Sequence, residues 1–138
     1  MKANTNCKKE LVKVKREDYT AVIGAGPYGL SVAAHLKAQG LQTLVFGKTM
    51  ELWKKMPPGL CLKSIWSASS ISDPSGKYSI DQYIATTNTP RQEPIPLSLF
   101  LNYALWFQRQ NVPDVEPVYI RSLAADGKRF HLDLEDGR

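Results

Sequence analysis

An α/β fold with a parallel sheet is the class this sequence predicts, on three observations. A β-prone run at Val22-Ile23 ends abruptly in Gly24-Ala-Gly26-Pro-Tyr-Gly29. Leu30, Ala33, Ala34 and Ala38 then recur at helical spacing, and Thr43-Leu-Val-Phe46 returns as a second apolar strand. Strand, glycine turn, helix and strand in that order fit a right-handed βαβ unit.

Each glycine in that turn has its own role. Gly24 permits the tight turn off the strand, Gly26 removes a side chain where backbone must approach a pyrophosphate, and Gly29 lets the helix lie close to the sheet. The helix that follows runs to Gly40 and aims its free N–H groups and positive dipole end at the same place. A lone G-x-G-x-x-G is weak evidence, but one that leaves a strand and opens a helix predicts a Rossmann-like dinucleotide-binding unit.

Past Gly47 the pattern is irregular. Lys48 to Met56 fits a short helical turn with Leu52, Trp53 and Met56 on one side, stopped by Pro57-Pro58-Gly59. Leu60, Leu62 and Ile65 suggest a short strand, and the serine-rich stretch 67–76 a loop. Ser79 fits the N-cap of a short helix carrying Ile80, Tyr83 and Ile84. Pro90, Pro94 and Pro96 make 86–96 an extended surface linker. Ser98 opens a second long helix with Phe100, Leu101, Ala104, Leu105 and Phe107 as a broad apolar stripe and Trp106 beside it, closed by Asn111-Val-Pro113.

The period then changes to two. Val118, Ile120 and Leu123, a turn at Asp126-Gly127, and Phe130, Leu132 and Leu134 alternating with His131, Asp133 and Glu135 predict an antiparallel hairpin. His131 falls on its polar face and His35 on the first helix without a partner, so neither is assigned a catalytic role. Nothing in the sequence follows the hairpin to pair with it, and no third parallel strand is visible beside the first two. The expectation is therefore a fold cut short, an N-terminal piece of something longer.

With 138 residues the chain can bury one core. Residues 1–17 carry six basic and two acidic residues, a net of +4 out of the chain's +5, and read as a basic, solvated leader before a nearly neutral domain spanning 18–138. The leader lacks interleaved aromatics, so a nucleic-acid arm is not expected, and no stretch has the length of a signal or membrane span. A cytoplasmic protein is the expectation. Cys7 and Cys61 form no C-x-x-C pair, and with His35 and His131 they give no metal-ligand spacing, so neither a metal site nor a redox pair is predicted.

Gly24-Ala-Gly-Pro-Tyr-Gly-Leu30, Phe46-Gly47-Lys48 and Met50-Glu-Leu-Trp53-Lys-Lys-Met56-Pro-Pro-Gly59-Leu-Cys-Leu62-Lys-Ser64 together resemble the N-terminal FAD-binding region of class B flavin-dependent monooxygenases. The likeness continues more weakly through 103–107 and into the hairpin, which resembles the antiparallel β-meander of that fold. It implies that Gly24, Ala25, Gly26, Pro27, Tyr28 and Gly29 hold the FAD pyrophosphate and that Gly47 and Lys48 lie beside the adenosine ribose. It further implies that Trp53 begins a stretch running under the flavin, that Leu62, Lys63 and Ser64 continue towards the isoalloxazine, and that Ile120 meets the adenine through its backbone. NADPH is the implied co-substrate.

Two departures qualify the likeness. Dinucleotide folds usually place an acidic residue at the end of the second strand to accept from the ribose hydroxyls, and here Gly47 and Lys48 stand there, with Glu51 several residues later. Lys63 holds the position of the aspartate found in the Baeyer–Villiger pattern, which disfavours that subgroup. Three readings stay open: the FAD-binding portion of an NADPH- and O₂-dependent monooxygenase, inactive alone; the cofactor half of an NAD(P)-dependent dehydrogenase; or a nucleotide-binding module without chemistry. The expected partners are a dinucleotide and, through exposed sheet edges, further copies of the chain.

Overall fold

Apolar runs and turn residues place most elements where the sequence puts them. A computed structural model describes residues 19–138; the leader at 1–17, Cys7 and Asp18 lie outside the described residues. Strand β1 (Thr20–Ile23), helix α1 (Pro27–Ala38) and strand β2 (Thr43–Phe46) form the expected unit, with Thr20 opposite Thr43 and Ile23 opposite Phe46 in parallel register. Leu30, Ala33 and Ala34 bury the inner face of α1, whereas Ala38 at its end is exposed.

A third parallel strand, not expected from the sequence, completes this sheet. Strand β3 (Val115–Glu116) pairs with β2 on the side away from β1, through Val45–Val115 and Phe46–Glu116, giving the order β1-β2-β3. Its two residues are too few to show any alternation, which is why the pattern hid it. The central place of β2 explains why Thr43, Val45 and Phe46 are buried while β1 is largely exposed. Lys37, near the end of α1, reaches both carboxylate oxygens of Asp114 just before β3, at 2.7 Å each.

Between β2 and the long helix the chain differs more from expectation. Helix α2 is a single turn, Glu51–Lys54, and Leu52 points to solvent; the buried residue is Met50, just before it, in a left-handed conformation. No strand forms over 60–65. A single antiparallel bridge joins Cys61 to Pro96, with Leu62 N–H donating to Ile95 at 2.8 Å and Leu97 N–H to Leu60 at 2.8 Å, and Ile65 is exposed. The same bridge draws the end of the proline-rich segment inward, so Ile95 is fully buried; residues 90–94 lie on the surface as their prolines suggest, and 86–87 instead finish the next helix.

Helix α3 (Ile80–Thr87) starts as its cap predicts, with Gln82 N–H donating to Ser79 Oγ at 3.2 Å. Helix α4 (Leu97–Asn111) buries Leu97, Leu99, Phe100, Tyr103, Ala104 and Phe107, while Leu101 and Leu105 are only half-buried. It packs against α1, α2 and α3 and carries the core. Tyr103 is fully buried among Tyr83, Phe100, Trp106 and Phe107, its hydroxyl donating to the Tyr78 carbonyl and accepting from Ile71 N–H, both at 2.9 Å. Burial pushes its pKa up to about 12.

Strands β4 (Ile120–Asp126) and β5 (Arg129–Leu134) form the expected hairpin, with Leu123 opposite Leu132 and Ala125 opposite Phe130. Among the described residues it has two strands, not the longer meander implied by the resemblance. Its base packs Val118 and Leu134 on Phe46, while the tip leaves Phe130 69% exposed.

Candidate functional site

The glycine turn joins β1 to α1 at the end of the sheet where β2 also finishes. Gly24 N–H donates to the Phe46 carbonyl at 2.8 Å, and Met50 N–H to the Ala25 carbonyl at 3.0 Å, so the turn is tied to the chain after β2 at two points. Gly47 is buried in the same junction: a Cβ there would stand 3.3 Å from Ala25 N.

Gly29 and Gly26 differ in kind. A Cβ on Gly29 would come within 1.8 Å of the Gly24 carbonyl oxygen, so the chain itself requires glycine at that point. Gly26 has an extended backbone, φ −85° and ψ −174°, that any residue adopts, and a Cβ there would meet nothing within 4 Å. Open space lies where its side chain would be, at the N-cap of α1.

That N-terminus has no side-chain cap and no acidic residue in its first turn, and Pro27 occupies its first position. Its leading N–H groups and dipole therefore face the cradle left by Gly26, which suits the diphosphate of a dinucleotide. Tyr28 stands beside it, 88% exposed.

The remaining predicted residues divide into two groups. Lys48 and Ile120 join the turn's end of the sheet: Lys48 follows Gly47 and holds its ammonium 5.0 Å from the ring centre of Tyr119, while Ile120 packs into the small cluster of Phe46, Val118 and Leu134. Glu51, the acid nearest in sequence, is occupied by Lys55 at 2.9 Å, which holds its carboxyl below the usual range. Glu116, hydrogen-bonded through its carbonyl to Gly47 N–H, has its carboxylate on Arg138 at 2.9 Å.

Trp53, Leu62, Lys63 and Ser64 form the second group. Trp53 packs on Phe100, ring centres 5.0 Å apart. Leu62, Lys63 and Ser64 line an open cleft of about 750 Å³ with Trp66, Asp81 and Arg91. Buried Trp66 donates from Nε1 to Asp81 at 2.8 Å, and the Arg91 guanidinium lies 4.5 Å above its ring. Sequence reasoning missed this cleft, because its lining combines the separate segments 62–67 and 91–95 with Asp81, and no single motif links them. It also passed over Tyr119, one residue before Ile120, and Met50, whose position before a helix start was the only available signal.

Both histidines are accounted for. His35 does have a partner, the Ser72 hydroxyl at 3.0 Å, and exposed His131 lies 3.4 Å from Asp126. Among the described residues no group of His, Cys, Asp and Glu could hold a metal ion, and no helix is long and apolar enough to cross a membrane.

Comparison with solved structures extends this geometry. The flavin-containing monooxygenase from Stenotrophomonas maltophilia superposes on 88% of the chain with a TM-score of 0.69 at 23% identity. The bacillithiol disulfide reductase Bdr of Staphylococcus aureus superposes on 86% with 0.68 at 20% identity, and the lysine monooxygenase NbtG of Nocardia farcinica on 86% with 0.65 at 15%. The chain shares the fold of the matching part of these structures. It spans about a third of the length of these structures, 34%, 33% and 39% respectively. No family model matches the sequence, and no curated protein sequence does. The expected parallel βαβ unit and antiparallel hairpin are both present.

Proposed function

We propose that this chain is the FAD-binding portion of an NADPH- and O₂-dependent flavoprotein monooxygenase, cytoplasmic and inactive alone. The observation that carries the reading is Gly26: the chain has room for a side chain there, the backbone would accept one, and the glycine instead leaves an open cradle at an uncapped helix N-terminus. The flavoprotein fold favours FAD over NAD as the dinucleotide that fills it.

In this reading Gly24, Ala25, Gly26 and the first turn of α1 hold the diphosphate, with Pro27, Tyr28 and Gly29 shaping its approach. Gly47, Lys48 and Ile120 flank the adenosine. Trp53 and the segment Leu62-Lys63-Ser64 extend towards the flavin ring. Hydride acceptance from NADPH and activation of O₂ are the chemistry a flavin supplies when bound; the chain contributes binding, orientation and exclusion of water.

Titration with FAD and with NAD tests the reading. FAD is expected to bind more tightly, Gly26→Val to abolish that binding by filling the cradle, and the 138-residue chain with FAD to oxidise no NADPH above background. Equal or tighter binding of NAD, or undiminished FAD binding by Gly26→Val, overturns it.

A further inference from the structure

We propose that Tyr119 and Lys48 form an adenosine clip at the end of β2, in place of the carboxylate that usually receives the ribose; the proposal rests on the dinucleotide reading above. In a βαβ dinucleotide unit the adenosine half lies across the end of the second strand. Here that strand ends in Gly47, packed against the glycine turn, and Lys48 leaves the sheet immediately after it. The Lys48 ammonium sits over the Tyr119 ring at 5.0 Å, so the two side chains stand together just past the end of the strand.

Tyr119 is built to be a contact surface and not a core residue. It belongs to neither hydrophobic cluster, and 39% of it is exposed, although Val118 before it is buried and Ile120 after it is packed. Its backbone is held at both ends by one residue: its N–H donates to Glu135 Oε1 at 3.2 Å, and its carbonyl accepts from Glu135 N–H at 2.9 Å. The ring is thus presented from a fixed backbone, which lowers the ordering cost when a flat base stacks on it.

The charge at this end is also inverted. The carboxylates near it are engaged, Glu51 by Lys55, Glu116 by Arg138 and Glu135 by the Tyr119 N–H, which leaves the Lys48 ammonium as the charge over the ring. An ammonium cannot accept from a ribose diol; it donates its three N–H groups, so the ribose oxygens become its acceptors, and its charge attracts the 5′-phosphate. Recognition passes from a diol held by a carboxylate to a base held by a ring and a phosphoribosyl group held by a cation.

The test uses the 138-residue chain, with FAD, ADP and inorganic pyrophosphate as probes and calorimetry as readout. Tyr119→Ser is expected to weaken FAD and ADP about tenfold, as loss of one stacked base does, and to leave pyrophosphate unchanged. Tyr119→Phe, which keeps the ring, stays within about twofold of the parent, and Lys48→Gln weakens ADP about threefold. The clip is overturned if Tyr119→Ser binds ADP like the parent, or if it loses pyrophosphate equally, which marks a general structural effect. Gly26→Val separates the two readings: if it abolishes FAD binding while Tyr119→Ser does not weaken it, only the clip falls. If the parent or Gly26→Val shows that the turn is not a phosphate site, the dinucleotide reading falls and takes the clip with it.

Discussion

On one face of the parallel sheet, Leu30, Ala33, Ala34 and Val45 meet Tyr103, Ala104 and Phe107 in one continuous core; on the other, Phe46 meets a small cluster with Val118 and Leu134 at the hairpin base. Ile23 on β1 is 55% exposed, and Phe130 at the hairpin tip more so. The helical side therefore supplies most of the hydrophobic stabilisation, and the thin side supplies surface. The glycine turn lies at the rim between them. Positions in it can accordingly answer to the fold, as Gly29 does, or, in the proposed function, to a ligand, as Gly26 does.

The largest effect that sharpens this contrast is expected at Gly29. Gly29→Ala forces its Cβ against the Gly24 carbonyl and should cost about 4 kcal/mol or more, the range kept for steric failures, whereas Gly26→Ala should leave thermal stability unchanged and weaken FAD binding. Thermal melts of the two variants check it; equal losses would erase the distinction between them. Next is the core itself. Phe107→Ala should cost about 3–5 kcal/mol and Phe130→Ser within about 0.5 kcal/mol by urea denaturation. A costly Phe130→Ser would mean that the thin face is more finished than its exposure implies.

Tyr103 gives a smaller effect with a pH signature. Tyr103→Phe strands the Ile71 N–H and Tyr78 carbonyl and should cost about 1–3 kcal/mol. Its folded pKa is raised above the ordinary 10.0, so the folded state holds the proton that the unfolded chain releases. Stability from this group is thus full below pH 10 and falls as pH rises towards 12, and Tyr103→Phe should flatten that part of the alkaline stability curve. The smallest expected change in stability is at the sheet edge: Ile23→Lys should barely move the melting temperature but lower light scattering, because a charge on an uncharged edge strand opposes pairing between copies.

Legibility followed length and periodicity. The βαβ unit, the Ser79 cap, α4 and the hairpin each show several turns of one period or a named cap, and they form where the pattern puts them. What the pattern could not show was short or paired at a distance. Strand β3 has two residues, and Ile95 is buried because Leu62 donates to its carbonyl across more than thirty residues of chain. At the site, the glycine turn with Gly47 and Lys48 was readable because one motif spaces them. The pairing of Lys48 with Tyr119 was not, since it depends on where β3 sets down the following segment.

Met50 carries a kinetic consequence. Its left-handed backbone, φ 57°, stores strain of the order of 1 kcal/mol, kept in place by full burial and by the bond from its N–H to Ala25. Lys54 N–H in turn donates to the Met50 carbonyl at 2.9 Å, so successive backbone hydrogen bonds join the glycine turn, Met50 and α2. In the proposed function, a phosphate-binding turn tied in this way before encounter has no closing step to wait for. Nucleotide capture should then proceed at a rate set by collision and orientation, and differences among variants of this joint should surface in how long the ligand stays.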